Sequence, residues 1–254
     1  MISRAAKYEL NLFFLALGYF SRIPMPKWVE YSPENLNHAS RYFTLVGWFL
    51  GGCVAAVYFI AHQFFSSNIS IWLCILFSVL LTGAFHEDGL ADTADGLGGG
   101  FTREKKLEIM KDSRIGTYGA CALLIALLGK FILLQELQKI IPGLAIAYAL
   151  SRMLAVSLLF TMPIASDPDT EKTKPMAKTQ SLTDKWVLLL TAIPVVFFID
   201  WKTLLLLVGM LMFIRCTAKI YFNHHLGGIT GDCLGATQQI SELCIYLLLI
   251  SASQ

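Results

Sequence analysis

Charge is scarce in this sequence. Asp, Glu, Lys and Arg supply 15% of its 254 residues and hydrophobic residues 56%, whereas soluble domains carry about a quarter charged residues. The deficit, with a mean hydropathy of +0.60, excludes an ordinary soluble domain and points to lipid. Paired cysteines are also missing. Cys53, Cys74, Cys121, Cys216, Cys233 and Cys244 stand singly, with no C-x-x-C and no zinc-type Cys/His spacing, so they read as small packing hydrophobes. No G-x-x-x-x-G-K-[ST] run is present, which argues against a nucleotide P-loop. Heptads, low-complexity tracts and internal repeats are absent too, and nothing points to nucleic acid. The apolar stretch Leu10 to Phe20 follows Arg4 and Lys7 but leads into Ser21-Arg22-Ile23-Pro24-Met25-Pro26, which is not a small-residue cleavage site. It reads as a retained, short membrane-embedded or interfacial segment.

Long apolar runs are what the sequence does have. A spanning helix needs about 20 mostly apolar residues, and seven segments qualify: 43–65, 69–85, 118–134, 140–163, 183–199, 203–222 and 232–252. The fifth is the weakest, because its apolar part begins only at Trp186. The expected fold is an all-α polytopic bundle of about seven transmembrane helices, one domain over residues 1–254. Strict alternation puts 21–42, 86–117, 164–185 and 215–231 on one side. Those segments hold fourteen Lys and Arg residues, against Lys139 and Lys202 opposite. By the positive-inside tendency that side is cytoplasmic, and 86–117 and 215–231 become cytoplasmic catalytic loops.

The chemistry gathers on the same side. Asp88, Asp92 and Asp95 stand at i, i+4 and i+7, within one arc of a helix face, read here as continuing the span that ends at Phe85. Three stacked carboxylates repel one another unless a cation lies among them, and Mg²⁺ takes hard oxygen ligands and keeps several waters. A solvated acidic helix end is the plainer alternative. Gly89 and Gly96 bracket the cluster, either admitting a close neighbour or ending the helix, and Leu97-Gly98-Gly99-Gly100 reads as a hinge. His86 is placed to orient a carboxylate or touch phosphate. Residues 101–112 form a short helix, followed by Asp112-Ser113-Arg114-Ile115-Gly116, in which Arg114 suits bidentate phosphate recognition. Asp232, after Gly227-Gly228-Ile229-Thr230-Gly231, either caps the last span or delivers another carboxylate. Arg152 and Glu242 lie within spans, where charges normally face the bundle interior. They form a structural pair, or Arg152 floors an anionic substrate site. Lys130 is close enough to a helix end to snorkel.

Four stretches, in order, resemble one known family: residues 21–26, 83–96, 108–117 and 227–236. They are similar to the signatures of the cobalamin synthases, or adenosylcobinamide-GDP ribazoletransferases. The resemblance spans nearly the whole chain, and Glu87 falls where that family varies. It implies a Mg²⁺-dependent inner-membrane enzyme joining adenosylcobinamide-GDP to α-ribazole or α-ribazole 5′-phosphate, giving adenosylcobalamin or its 5′-phosphate and GMP. Combined with the residues above, it assigns catalysis to Asp88, Asp92, Asp95 and Arg114. Metal binding goes to Asp88, Asp92, Asp95 and Asp112, and substrate contact to His86, Arg152 and Asp232. Self-association and association with other pathway enzymes stay open. Asp92-x-x-Asp95-Gly96 also echoes the first acidic pair of CDP-alcohol phosphotransferases, whose later Asp spacing is not reproduced. A lipid-head-group phosphotransferase is therefore the nearest rival. A cation pore is the other, disfavoured because only Arg152 and Glu242 carry polarity into the bilayer.

Overall fold

A computed structural model describes residues 3–165 and 180–253. Eleven α-helices make up its regular structure: α1 (Arg4–Phe20), α2 (Pro33–Ala39), α3 (Phe43–Ala61), α4 (Ser67–Thr82), α5 (Phe85–Gly99), α6 (Arg103–Met110), α7 (Thr117–Glu136), α8 (Ile140–Leu159), α9 (Leu182–Leu190), α10 (Trp201–Leu226) and α11 (Gly231–Ser251). Short polar residues fix many starts. Ser3, Ser32, Thr102, Asp200 and Thr230 each accept a backbone N–H in the first turn that follows, and Ser181 and Asp184 form a reciprocal capping box. Each such cap contributes about 1 kcal/mol.

Among the described residues, five helical stretches are long and apolar enough to cross a membrane: 33–61, α7, α8, α10 and α11; a sixth arises if the bent α4–α5 pair counts as one. The all-α polytopic expectation holds, and two of its seven spans need correction. The first is 69–85. Helix α4 stops at Thr82, and Gly83 (φ 66°) and Ala84 (φ 58°) both turn left-handed, so α5 departs at 85°. The acidic cluster therefore sits on a separate helix and not on a continuation of the span.

The second correction is 183–199. Only nine residues, α9, are α-helical there, followed by a 3₁₀ segment over Ile193–Phe197. Its contacts still carry the chain from one end of the bundle to the other. At the start of α9, Asp184 meets Arg41 (2.6 Å) and His38 (3.0 Å). Further along, Thr44 Oγ1 donates to the Leu188 carbonyl and Trp48 Nε1 to that of Thr191. Phe198 and Asp200 then line a cavity with Leu137 and Lys139 at the opposite end. The expected span is thus a short helix and a 3₁₀ segment, and it is not among the described helices long and apolar enough to cross a membrane.

The core is a close crossing of α3 and α8. Gly47 and Gly51 admit the backbone of Ala145, Tyr148 and Ala149, and a Cβ at Gly51 would stand 2.9 Å from that of Tyr148. Small residues of this kind let helices approach where lipid removes the hydrophobic drive to associate. Helix α1, amphipathic and 17 residues long, packs its Leu12, Leu15, Ala16 and Phe20 inward, as a short embedded or interfacial segment should. All six cysteines are free thiols. Lys172, Lys174 and Lys178, counted in the charge bias, lie outside the described residues.

Candidate functional site

Helix α5 carries the acidic cluster, and α11 is pressed against it. A Cβ on Gly89 would stand 2.9 Å from the Asp232 carbonyl oxygen, so glycine here admits a neighbouring backbone. The contact brings Asp232, in the first turn of α11, to the carboxylates of α5. Asp88 is exposed and Asp92 half-buried, and neither is paired in any ion pair among the described residues. Burial, then the negative charges of Asp88, Asp232 and Asp95, push the Asp92 carboxyl up to about 7. That crowding is what a cation would relieve. Among the described residues no three His, Cys, Asp or Glu side chains stand close enough to hold a metal ion.

Asp95 has other partners. It is buried, and its two oxygens accept the backbone N–H groups of Gly116 (2.7 Å) and Gly119 (2.8 Å), the start of α7. A carboxylate at a helix N-terminus is favourable there. Asp112 and Arg114 are engaged with each other: the Arg114 guanidinium grips the Asp112 carboxylate at two points on the surface. Hydrogen bonds from Arg114 hold the Asp112 carboxyl down at about 2. Of the expected hinge at 97–100, Leu97, Gly98 and Gly99 are helical and only Gly100 lies beyond the helix. Helix α5 runs through Gly99, and Gly96 and Gly98 make room for the side chains of Met110 and Tyr118.

Charges at depth are arranged differently from the simple pair expected. Arg152 forms no ion pair with Glu242. Its Nη1 donates to the Tyr148 carbonyl (2.9 Å), its guanidinium lies 4.9 Å from the Tyr148 ring centre, and its Nε has no partner. Glu242 instead takes Lys130 Nζ at 3.1 Å, with Gln238 Nε2 at 2.7 Å and the Tyr246 hydroxyl at 3.1 Å. Lys130 is 3% exposed and does not snorkel. It also reaches Gln239 (3.3 Å) and, at 3.9 Å, Glu87, which accepts from Gln239 Nε2 at 3.1 Å. The network ties α5, α7 and α11 together immediately behind Asp88. Lys130 is the fourteenth residue of α7 and Glu242 the twelfth of α11. Both helices start at the acidic end, so their similar depth was the available signal.

The second unpartnered group is His86, buried between the rings of Phe20 (5.2 Å) and Phe85 (5.3 Å), with neither ring nitrogen hydrogen-bonded. His86 and Arg152 line the same cavity, open toward the N-terminus of α11. Two of the expected residues, His86 and Arg152, thus meet at one cavity, and Asp232, whose neighbour Gly231 lines it, lies close to Asp92. Asp112 and Arg114 stay on the neighbouring surface loop.

The model of the cobalamin-5-phosphate synthase family matches residues 12–250. The chain belongs to that family. Curated relatives include the adenosylcobinamide-GDP ribazoletransferases of Vibrio cholerae, 50% identical over 98% of this chain and 96% of theirs, and of Shewanella piezotolerans, 49% identical over 96% of each. The enzyme of that name from Vibrio parahaemolyticus is 48% identical over 98% of this chain and 95% of its own. No solved structure matches the chain. Family membership thus agrees with the four motifs, of which 83–96 forms the turn and helix of the acidic face and 227–236 the strand-like link and first turns of α11. Ile229 bridges to Ile164 there, tying the link before α11 to the segment after α8.

Proposed function

We propose that this chain transfers α-ribazole, free or as its 5′-phosphate, onto adenosylcobinamide-GDP, releasing GMP. Support comes from full-length likeness to relatives carrying that activity's name. The observation that carries the mechanism is the convergence of Asp88, Asp92 and Asp232 at one end of the bundle, without cationic partners for Asp88 and Asp92.

The acidic face fits Mg²⁺, which is commonly held by one or two carboxylates plus substrate phosphates and waters. Asp88 and Asp92 would hold it, with Asp232 beside them. Bound there, Mg²⁺ would neutralise charge on the diphosphate. Asp95, fixed by the α7 amides, keeps the far end of α5 in place. A ribose hydroxyl of α-ribazole would attack the phosphorus on the cobinamide side. The new P–O bond forms as the bridging P–O bond breaks, and GMP leaves with that electron pair. One carboxylate of the face would take the hydroxyl proton. Arg114 would exchange Asp112 for the leaving phosphate, using the same planar fork. Lys130, Glu242 and Glu87 at depth are engaged with one another, which disfavours a pore.

The basic bias supports a cytoplasmic acidic face in the inner membrane. The deciding assay incubates purified protein with Mg²⁺, adenosylcobinamide-GDP and α-ribazole, and follows GMP and corrinoid products by mass. Turnover of CDP-diacylglycerol in place of the corrinoid would overturn the reading.

A further inference from the structure

Beside the acidic face, between the C-terminal end of α1 and helices α5, α8 and α11, lies a cavity. Tyr19, Phe20, Phe43 and Phe85 supply aromatic surface to it. Its charged or ionisable lining, Tyr19 apart, is His86 and Arg152 among the described residues. These are 4% and 2% exposed, and both His86 ring nitrogens and Arg152 Nε lack a hydrogen-bond partner. Buried polar atoms are rarely left unpaired. An apolar box with so few unmet polar atoms specifies its ligand closely. Its mouth adjoins the acidic face, since Gly231, the neighbour of Asp232, lines the wall.

We propose that this cavity receives the aromatic base of the ribazole acceptor, an assignment that rests on the reading above and extends it. Dimethylbenzimidazole is flat, bicyclic and apolar at its methylated edge. Once glycosylated it keeps one ring nitrogen free to accept a hydrogen bond. Arg152 Nε–H is the matching donor, which leaves His86 for a hydroxyl of the attached ribose. The sugar then points toward Asp232 and the carboxylates, where its attacking hydroxyl is needed. Guanine fits poorly: its carbonyl, amino group, N–H and further ring nitrogens would find too few partners, and each unmet group carries a desolvation cost. A corrin ring is far larger than the cavity. An acyl chain would leave the His86 and Arg152 atoms unpaired.

The test uses the full-length protein in detergent and two acceptors: α-ribazole, and its analogue with the free ring nitrogen replaced by C–H. Wild-type protein should show a KM for the analogue raised about tenfold, the size of one hydrogen bond. Arg152→Met should raise the KM for α-ribazole to a similar degree and abolish the preference between the two. Ala155→Phe, which fills the cavity wall, should raise the KM for α-ribazole at least as much. The KM for adenosylcobinamide-GDP should stay within about twofold throughout. Equal KM values for the two acceptors on wild-type protein would overturn the assignment, and need no variant to fold. So would an Ala155→Phe effect falling on adenosylcobinamide-GDP instead. Absence of any α-ribazole turnover by the wild type would refute the transfer activity itself, a separate outcome.

Discussion

Replacing Lys130 by Met tests whether the charges at membrane depth hold the site helix in place. The substitution keeps the apolar stem and removes only the ammonium, which lies 3.1 Å from Glu242, 3.3 Å from Gln239 and 3.9 Å from Glu87. Two carboxylates, at 1% and 7% exposure, would lose their shared cation. Breaking a buried pair from one side costs about 3–5 kcal/mol, equivalent to roughly 6–20 °C in Tm for a chain of this size. Adding Glu242→Gln removes the stranded charge and should recover much of the loss, as coupled neighbours do. Thermal unfolding in detergent, read by tryptophan fluorescence, gives all the numbers needed. A Lys130→Met protein within about 0.5 kcal/mol of wild type would return Lys130 to the membrane surface. Losses that merely add in the double variant would dissolve the proposed network.

Asp88→Asn should abolish GMP release with little change in Tm, since Asp88 is exposed and its charge serves a cation; near-normal turnover would strike it from the site. Arg114→Lys keeps the charge but loses the two-point grip on Asp112, so activity should fall in a protein of unchanged Tm. Chelating divalent ions should expose the Asp92 titration. With its folded pKa raised from 3.8 to about 7, Asp92 binds more protons folded than unfolded, so stability declines as pH rises between those values and levels off above. Mg²⁺ should flatten that decline, and a pH–Tm curve indifferent to Mg²⁺ would refute the crowding. Reporter fusions after Phe65, Leu137 and Trp201 should all report the side opposite to fusions after Gly100, or the broken crossing at 182–199 is wrong.

The sequence reading of Asp88, Asp92 and Asp95 was correct on periodicity, since 3.6 residues per turn places all three within about 60°. Periodicity says nothing about what covers each part of that arc. The start of α7 covers Asp95 and leaves Asp88 and Asp92 open, and that depends on a contact between residues 21 and 24 positions apart. The break at 83–84 was likewise hidden. Apolar composition runs through to Phe85, and Ala84, with φ 58°, is a residue type that seldom adopts the left-handed region. Segment 183–199 was legible as apolar and illegible as broken. Side-chain bonds from Thr44 and Trp48 to the Leu188 and Thr191 carbonyls satisfy part of the backbone that an unbroken helix would have paired internally, and helix period alone cannot foresee that.

Helix α5 therefore carries four carboxylates in two roles. Glu87 and Asp95, buried near its two ends, are bound to Gln239 on one side and to the α7 amides on the other. Between them Asp88 and Asp92 are held in position with no ion-pair partner among the described residues. A helix bearing only the latter two would be free to turn and spread its like charges. With both ends fixed, and α11 pressed against Gly89, repulsion cannot be relieved by movement. Preorganisation of this kind makes ligand binding more favourable, because the unfavourable assembly of charge is already offset by the fold. Loosening either anchor should then weaken Mg²⁺ binding without touching a ligand. Glu87→Gln keeps a hydrogen-bonding shape but uncouples Lys130, and Asp95→Asn weakens acceptance of the two amides. Each should raise the Mg²⁺ concentration needed for half-maximal GMP release several-fold, leaving saturated turnover within about twofold. Loss of turnover that saturating Mg²⁺ cannot restore in Asp95→Asn would instead make Asp95 a direct ligand, and the two-role division of α5 would fall.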